Sequence, residues 1–403
     1  MATSTDLRAN VALFAAGFGT FSLLYCVQPV MPIFTDEFGV SPAASSLSLS
    51  LTTGTLATTI FITGFMSQSW DRKTLISASL LIASVLTLLT SLSSSWMGLL
   101  AVRFLVGVAL GGVPAAAMAY AAEEARAEGS GFAVGLYIGG TALGGMAGRV
   151  ITGIVAGFLS WRSAVGTIAV VGLMTSIGFW LLVPPSRQFT LQRDIGFRIR
   201  VSMLLANVRG AGLPWLYLMA FLLMGSFVTN YNYAGYRLVA PPYSLDETAI
   251  GAIFLLYLLG MIASPVFGRL ADQFGRSRML AIATLLMLSG VLLSTLLFLW
   301  AMIGGLALIT VGFFAGHSVA SGWVGHIAPA AKGQAASLYL LAYYLGASII
   351  GSYGGRYWAH DGWNGVATLV GICLLVALAV AFRLARLRIP TLGPRSHASG
   401  SRV

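Results

Sequence analysis

Three ionisable side chains stand inside long apolar runs of this sequence. They are Arg103 in RFLVGVALGG, Arg149 in GGMAGRVITG and His317 in FFAGHSVASG. A guanidinium in apolar surroundings is costly, and such groups face an interior cavity or a partner. No Asp or Glu lies deep in any apolar run, so neither arginine has an evident buried carboxylate. Three uses are open to them. They can bond backbone carbonyls and polar groups such as Gln28, they can assist proton movement, or they can bind an anionic substrate directly. His317 shares a helical face with Thr310, Phe314 and Ser321. Imidazole titrates near neutral pH and could carry a coupling proton. The alternative is a neutral ring bonded to a neighbouring helix. Asp36 and Glu37 follow the first apolar run, where they could collect protons or simply be solvated loop acids. Glu123 and Glu124 carry the same two readings.

The elements that hold these groups follow from composition. Of 403 residues, 57% are hydrophobic and 9% charged, with a mean hydropathy of +0.87. A soluble surface needs roughly 25–35% charged residues. Apolar runs of about twenty residues recur along the chain, each long enough to cross a bilayer. The expected class is an all-α polytopic membrane protein. Its 48 glycines suit close helix packing, and the short alternating strands of a β-barrel are not seen. The net charge of +11 sits in particular loops, which argues against a nucleic-acid partner. Cys26 and Cys373 both lie in apolar runs, and no CxxC or His-rich cluster suggests a metal. The first run, Val11 to Phe34, is too long for a signal-peptide core and lacks a cleavage site.

Twelve spans are expected. The first six cover roughly 11–35, 45–69, 74–93, 96–121, 131–158 and 163–183; the second six cover roughly 213–236, 248–268, 279–299, 302–325, 335–357 and 364–386. This divides the chain into a six-helix bundle (1–183), a polar connector (184–212), a second six-helix bundle (213–390) and a tail (391–403) expected to be disordered. The connector holds Arg187, Arg193, Arg198, Arg200 and Arg209 against Asp194, and reads equally as a surface amphipathic helix or a linker. With the N-terminus inside, 18 basic residues fall in cytoplasmic segments and only Arg162, Arg237 and Arg356 fall outside. Both termini are therefore expected in the cytoplasm.

A shift of about 204 residues overlays the chain on itself. GFMSQSWDRKTL from Gly64 falls on GRLADQFGRSRM from Gly268, YCVQPV puts Gln28 on Asn232 of TNYNYA, and VGVALGG resembles VGFFAGH. A same-orientation repeat of six spans places a pseudo-twofold axis along the membrane normal and substrate sites between the halves. Across that axis Tyr25 and Gln28 should face Asn230, Tyr231, Asn232 and Tyr233. Tyr137, Tyr339, Tyr343 and Tyr344 lie on the fifth and eleventh spans. Aromatic rings with a few hydrogen-bonding groups suit a moderately apolar ligand. The expected cavity set is Tyr25, Gln28, Arg103, Arg149, Tyr231, Asn232, His317, Ser321, Tyr339 and Tyr343, with His317 and Asp36 as coupling candidates.

GRLADQFGRSRML resembles the loop signature G-x-x-x-D-x-x-G-R-x-R of the major facilitator superfamily through Gly268, Asp272, Gly275, Arg276 and Arg278. RFLVGVALGG resembles the family's fourth-helix motif. GLYIGGTALGGMAGR resembles the glycine-rich fifth helix of its antiporter branch, and LLYCVQPVMPIF resembles the first helix of bacterial drug and metabolite (arabinose-efflux-like) permeases. The first copy of the loop signature is degraded. Gln68 stands at the Asp position and Asp71 at the second Gly, while Arg72 and Lys73 remain. The resemblance implies a gating loop at the cytoplasmic ends of two helices. Gly268 would allow close approach of a neighbouring helix, Gly275 would make the turn, and Asp272 would pair with an arginine or a helix N-terminus. It also implies a structural or coupling role for Arg103.

The resulting expectation is a monomeric secondary transporter in a bacterial inner membrane. It would be a proton-coupled antiporter exporting a small organic molecule, with the proton gradient in place of a cofactor and no ATP motif G-x-x-x-x-G-K-[ST]. One rival is anion uptake or exchange using Arg103 and Arg149. A receptor or intramembrane enzyme is a remoter alternative, because no signalling domain, metal set or nucleophile–base pair is evident.

Overall fold

A computed structural model describes residues 4–66, 71–124, 130–183, 212–328 and 332–387, with scattered positions between 202 and 210. The connector arginines and the tail beyond residue 387 lie largely outside the described residues, as does Gln68. The described chain is helical, with no strand. The first half holds α1 (Ser4–Tyr25), α2 (Met31–Phe38), α3 (Pro42–Met66), α4 (Arg72–Ser91), α5 (Trp96–Leu110), α6 (Gly112–Glu124), α7 (Ser130–Phe158) and α8 (Trp161–Leu182). The second holds α9 (Leu213–Val239), α10 (Glu247–Ile253), α11 (Tyr257–Phe274), α12 (Arg276–Ser294), α13 (Leu299–Ile327) and α14 (Lys332–Arg386). A single 3₁₀ turn, Phe254–Leu256, joins α10 to α11.

Among the described residues, eleven stretches are long and apolar enough to cross a membrane. The last of these breaks at Asp361 and Gly362, where φ reaches +55° at Gly362, so the described spans number twelve. Short polar side chains start the helices. Asp71 accepts from Thr74 N–H at 2.8 Å, Ser160 from Ser163 N–H at 3.1 Å, and Asp246 from Ala249 N–H at 2.7 Å. Large apolar side chains such as Ile82, Leu105, Leu181, Ile262, Leu292 and Phe298 are exposed on the outside of the bundle. That surface suits lipid rather than water.

The repeat is visible in the packing. In the first half α1 lies on α7, and in the second α9 lies on α14. At the first contact a Cβ on Gly144 would meet the Phe18 carbonyl at 2.2 Å; at the second, one on Gly346 would meet the Phe221 carbonyl at 2.1 Å. Glycine at these positions lets two backbones touch. The halves meet along α3 with α14 and α7 with α10. There Gly355 sits on Ala43, and Gly153 sits on Gly251.

Two boundaries that bear on the site depart from expectation. The first span is not continuous over 11–35, because α1 ends at Tyr25 and α2 starts at Met31. Pro29 has no N–H for the Tyr25 carbonyl four residues back, and its ring would clash there. The eighth span does not end at 268, since α11 runs to Phe274 and α12 begins at Arg276. Hydropathy marks the apolar part of a helix, whereas the helix itself continues into the polar layer. Gly275, with φ +95°, is the turn between the two. Gly268 is therefore helical rather than part of a loop. A Cβ there would meet only Ser318 Oγ at 3.6 Å, an ordinary contact, so no close helix approach depends on it.

Candidate functional site

The break after Tyr25 organises the site. A helix end leaves carbonyls without partners, and Arg103 on α5 supplies them. Its Nη1 donates to Leu23 O at 3.2 Å and its Nη2 to Leu24 O at 2.7 Å, while Nε donates to Ser48 O at 3.1 Å. Arg103 is fully buried and lies outside the cavity wall. Its expected place in the substrate cavity does not hold, because all three nitrogens are spent on joining α1, α3 and α5.

The same break projects Gln28 onto the line between the halves. Its Nε2 donates to Asn232 Oδ1 on α9 at 2.6 Å. The two residues are 204 apart in sequence, the repeat offset itself. Gln28 Oε1 accepts from Arg149 Nε at 2.5 Å. Further along, Tyr236 Oη bonds Met31 O at 2.9 Å and Thr35 Oγ1 at 2.8 Å, and Ser348 Oγ donates to Ser50 O at 2.7 Å. Together these contacts close the end of the bundle remote from the N-terminus.

On the N-terminal side of this closure lies a cavity of about 340 Å³ between the halves. Its walls come from α1 (Phe21, Tyr25), α7 (Gly135, Gly139, Gly145, Arg149), α9 (Met224, Phe227), α11 (Tyr257, Met261, Pro265), α13 (Phe313, Phe314, His317) and α14 (Tyr343). The glycine-rich α7 serves two faces. Gly140, Gly144 and Gly148 press on the α1 backbone, while Cβ atoms on Gly135 and Gly139 would meet nothing within 4 Å. The second pair leaves open space at the N-terminal end of the cavity.

Arg149 is 2% exposed and stacks its guanidinium on rings, 3.9 Å from Tyr25, 5.0 Å from Tyr257 and 5.2 Å from Phe254. Nη1 donates to Gly145 O at 2.6 Å. His317 Nδ1 lies 3.0 Å from Tyr339 Oη, and its ring stacks on Phe313 at 5.9 Å and approaches Tyr343 at 4.8 Å. Among the described residues no Asp or Glu lines the cavity. Among the described residues no group of three His, Cys, Asp or Glu side chains could hold a metal.

Of the expected cavity set, Tyr25, Arg149, His317 and Tyr343 line the wall together. Gln28 and Asn232 form the closure behind it, and Tyr339 stands behind His317. Tyr231 is buried, with its hydroxyl 2.7 Å from Thr310 Oγ1, and packs behind the wall residues Phe227 and Tyr257 rather than lining the cavity. Ser321 bonds Ser318 O within its own helix at 3.2 Å and is not a wall residue, because it lies one turn beyond His317. Asp36 is exposed at the end of α2, on the closed side, and does not reach the cavity. Its neighbour Glu37 is held by Arg162 and the Trp161 indole. Partial burial raises the Glu37 pKa, but these two donors outweigh it and the net shift is downward.

Asp272 and Arg276 pair within one half at 3.2 Å, and Arg276 also lies 3.2 Å from His326 Nδ1. Arg278 is exposed. Asp71 is the cap of α4, and Arg72 is buried in its first turn. None of these residues belongs to the cavity wall.

Phe21, Phe227, Tyr257 and Phe313 are wall residues that sequence reasoning did not select. One signal was present: Phe21 and Tyr25, Phe227 and Tyr231, and Phe313 and His317 are each four residues apart, one helical face in each case.

Comparison with known proteins places this geometry. The Major Facilitator Superfamily profile matches residues 13–239 and 216–401. The MFS-type transporter YybF of Bacillus subtilis is 44% identical over 379 residues, 94% of each chain. The inner membrane transport protein YnfM of Escherichia coli is 44% identical over 386 residues, 95% of this chain and 92% of its own. A chloramphenicol resistance protein of Streptomyces lividans is 26% identical over 286 residues, 70% of this chain and 69% of its own. Among solved structures, the fold is similar to an inward-facing, unoccupied bacterial homolog of the human lysosomal transporter Spinster. The TM-score is 0.76 at 15% identity, covering 96% of this chain and 98% of that one.

Proposed function

The chain belongs to the major facilitator superfamily and is a multi-pass membrane transporter, and from that premise we propose that it is a proton-coupled antiporter exporting a small organic molecule from a bacterial cell. The observation that carries this reading is one aromatic cavity between two repeated halves, shut at one end by contacts between those halves. Alternating access requires that such contacts part while the opposite end closes. The basic residues cluster on the N-terminal side, and the positive-inside bias supports a cavity that opens to the cytoplasm, where an exporter loads. The relative named for chloramphenicol resistance agrees with export. His317 is the coupling group. It is a titratable side chain on the wall, with a hydroxyl partner on α14. The inner membrane is the location, by the name of the Escherichia coli relative.

Anion uptake or exchange through a pair of arginines loses one of its two groups, because Arg103 is consumed by carbonyls. The deciding experiment is transport in reconstituted vesicles with an imposed pH gradient and a panel of cationic, neutral and anionic compounds. Proton-driven movement against a concentration gradient, lost in His317→Ala, is the expected result. Flux indifferent to the pH gradient, or an unchanged pH profile in His317→Ala, overturns the coupling.

A further inference from the structure

Among the described residues, the cavity wall holds a fixed positive charge with no carboxylate to neutralise it: Arg149 lines the wall, and no described Asp or Glu does. Taking such a charge out of water costs several kcal/mol, which favours any arriving group of opposite sign. The rings of Tyr25, Tyr257 and Phe254 soften this cost without changing the net charge. A cationic ligand in the same space would meet the guanidinium at low dielectric and be repelled.

The three nitrogens of Arg149 are not equivalent. Nε is engaged by Gln28 and Nη1 by Gly145 O. Nη2 has no hydrogen-bond acceptor among the described residues, yet it is not among the fully enclosed unpaired atoms, so it reaches the cavity. One free donor nitrogen suits one anionic head group. Around it the walls are aromatic. Phe227 and Phe313 stack at 3.9 Å with planes 10° apart, and Tyr257, Phe314 and Tyr343 complete the enclosure. The volume of about 340 Å³ is at the small end for ligand sites.

We infer that the transported molecule is an organic monoanion, a carboxylate-type head on a compact flat apolar body. The head sits on Arg149 Nη2 and the body lies against Phe227, Phe313 and Tyr257. This rests on the reading that the cavity is the transport site, and it is independent of the coupling ion.

The test is equilibrium binding to purified, detergent-solubilised protein of three probes with one ring: benzoate, benzamide and benzylamine. A charge-assisted hydrogen bond predicts that benzoate binds about 10- to 100-fold more tightly than the other two. Arg149→Gln should erase that preference. Arg149→Lys, which keeps the charge, should retain part of it and guards against misfolding of the first variant. Phe313→Ala should weaken benzoate while leaving its preference over benzylamine. Benzamide or benzylamine binding as tightly as benzoate, a preference that survives Arg149→Gln, or no binding of any of the three at millimolar concentration overturns the inference. Vesicle transport separates the two readings. Proton-driven flux of cations with no benzoate preference sinks the monoanion and keeps the antiporter, whereas benzoate preference without proton-driven flux does the reverse.

Discussion

The Gln28–Asn232 bridge offers the sharpest perturbation. Asn232→Leu removes the acceptor of the bond between the halves but leaves Gln28 its charge-assisted bond to Arg149. The lost Asn232 Nδ2 costs nothing further, because it is buried without a partner already. The state closed at that end should weaken by the worth of one interhelical side-chain bond in a membrane, about 0.6–2 kcal/mol. That corresponds to a shift of about 3- to 30-fold in the balance of the two conformers. Ser50 is a suitable reporter. It is buried at the junction, its Oγ is unpaired, and its contact with Ser348 runs through the backbone carbonyl. In a Cys26→Ser, Cys373→Ser background, Ser50→Cys should react with an impermeant thiol reagent from the outer side faster by that factor when Asn232→Leu is added. Asn230→Leu is the control, since Asn230 bonds Ser226 O within its own helix at 2.8 Å. An unchanged labelling rate in Asn232→Leu, or an equal rise in Asn230→Leu, refutes the idea that this pair holds the end shut.

Three further outcomes are expected. Arg103→Gln takes the side-chain donor from Leu24 O, while Ser48 O keeps Thr52 Oγ1 and Leu23 O keeps Cys26 Sγ, so thermal unfolding in detergent should show a loss of about 1–3 kcal/mol, with no selective change in ligand preference. Gly144→Ala drives a Cβ into the Phe18 carbonyl and should lower the melting temperature, whereas Gly139→Ala meets nothing within 4 Å and should alter ligand affinity before stability. Glu37 has a depressed pKa in the folded protein, so its stabilising contribution is complete above the ordinary value of 4.5 and is lost as pH falls through the lower folded value. Melting curves of wild type and Glu37→Gln should therefore differ at neutral pH and converge on acidification, and a constant difference across that window contradicts the assignment.

The membrane class and the repeat could be read from the chain because lipid demands long apolar helices and leaves few charges to misplace. Gln28 and Asn232 could be paired in advance because polar residues inside an apolar run are rare enough to align. The ends of helices were harder. The apolar signal of the eighth span stops near Gly268, but the backbone continues to Phe274, and Pro29 breaks a run whose hydropathy never falters. Arg103 and Arg149 looked alike in sequence, each a cation among glycines. What separates them is which carbonyls a neighbouring helix leaves unpaired, and that depends on where α1 stops. The aromatic wall was obscured for a different reason. Phe and Tyr occur in many spans, and only the relative rotation of six helices selects Phe227, Phe313 and Tyr257 from the rest.

A perfect dyad at the midline would set two identical amides face to face, each with the same set of partners. Here the earlier copy is one methylene longer than the later. Its far oxygen can hold the guanidinium of α7 while its nitrogen spans to the opposite repeat, and the shorter amide has no such second reach. The one guanidinium at this junction is tied to the earlier copy alone. The two halves are therefore not interchangeable at the midline, and what separates them there is a single CH₂.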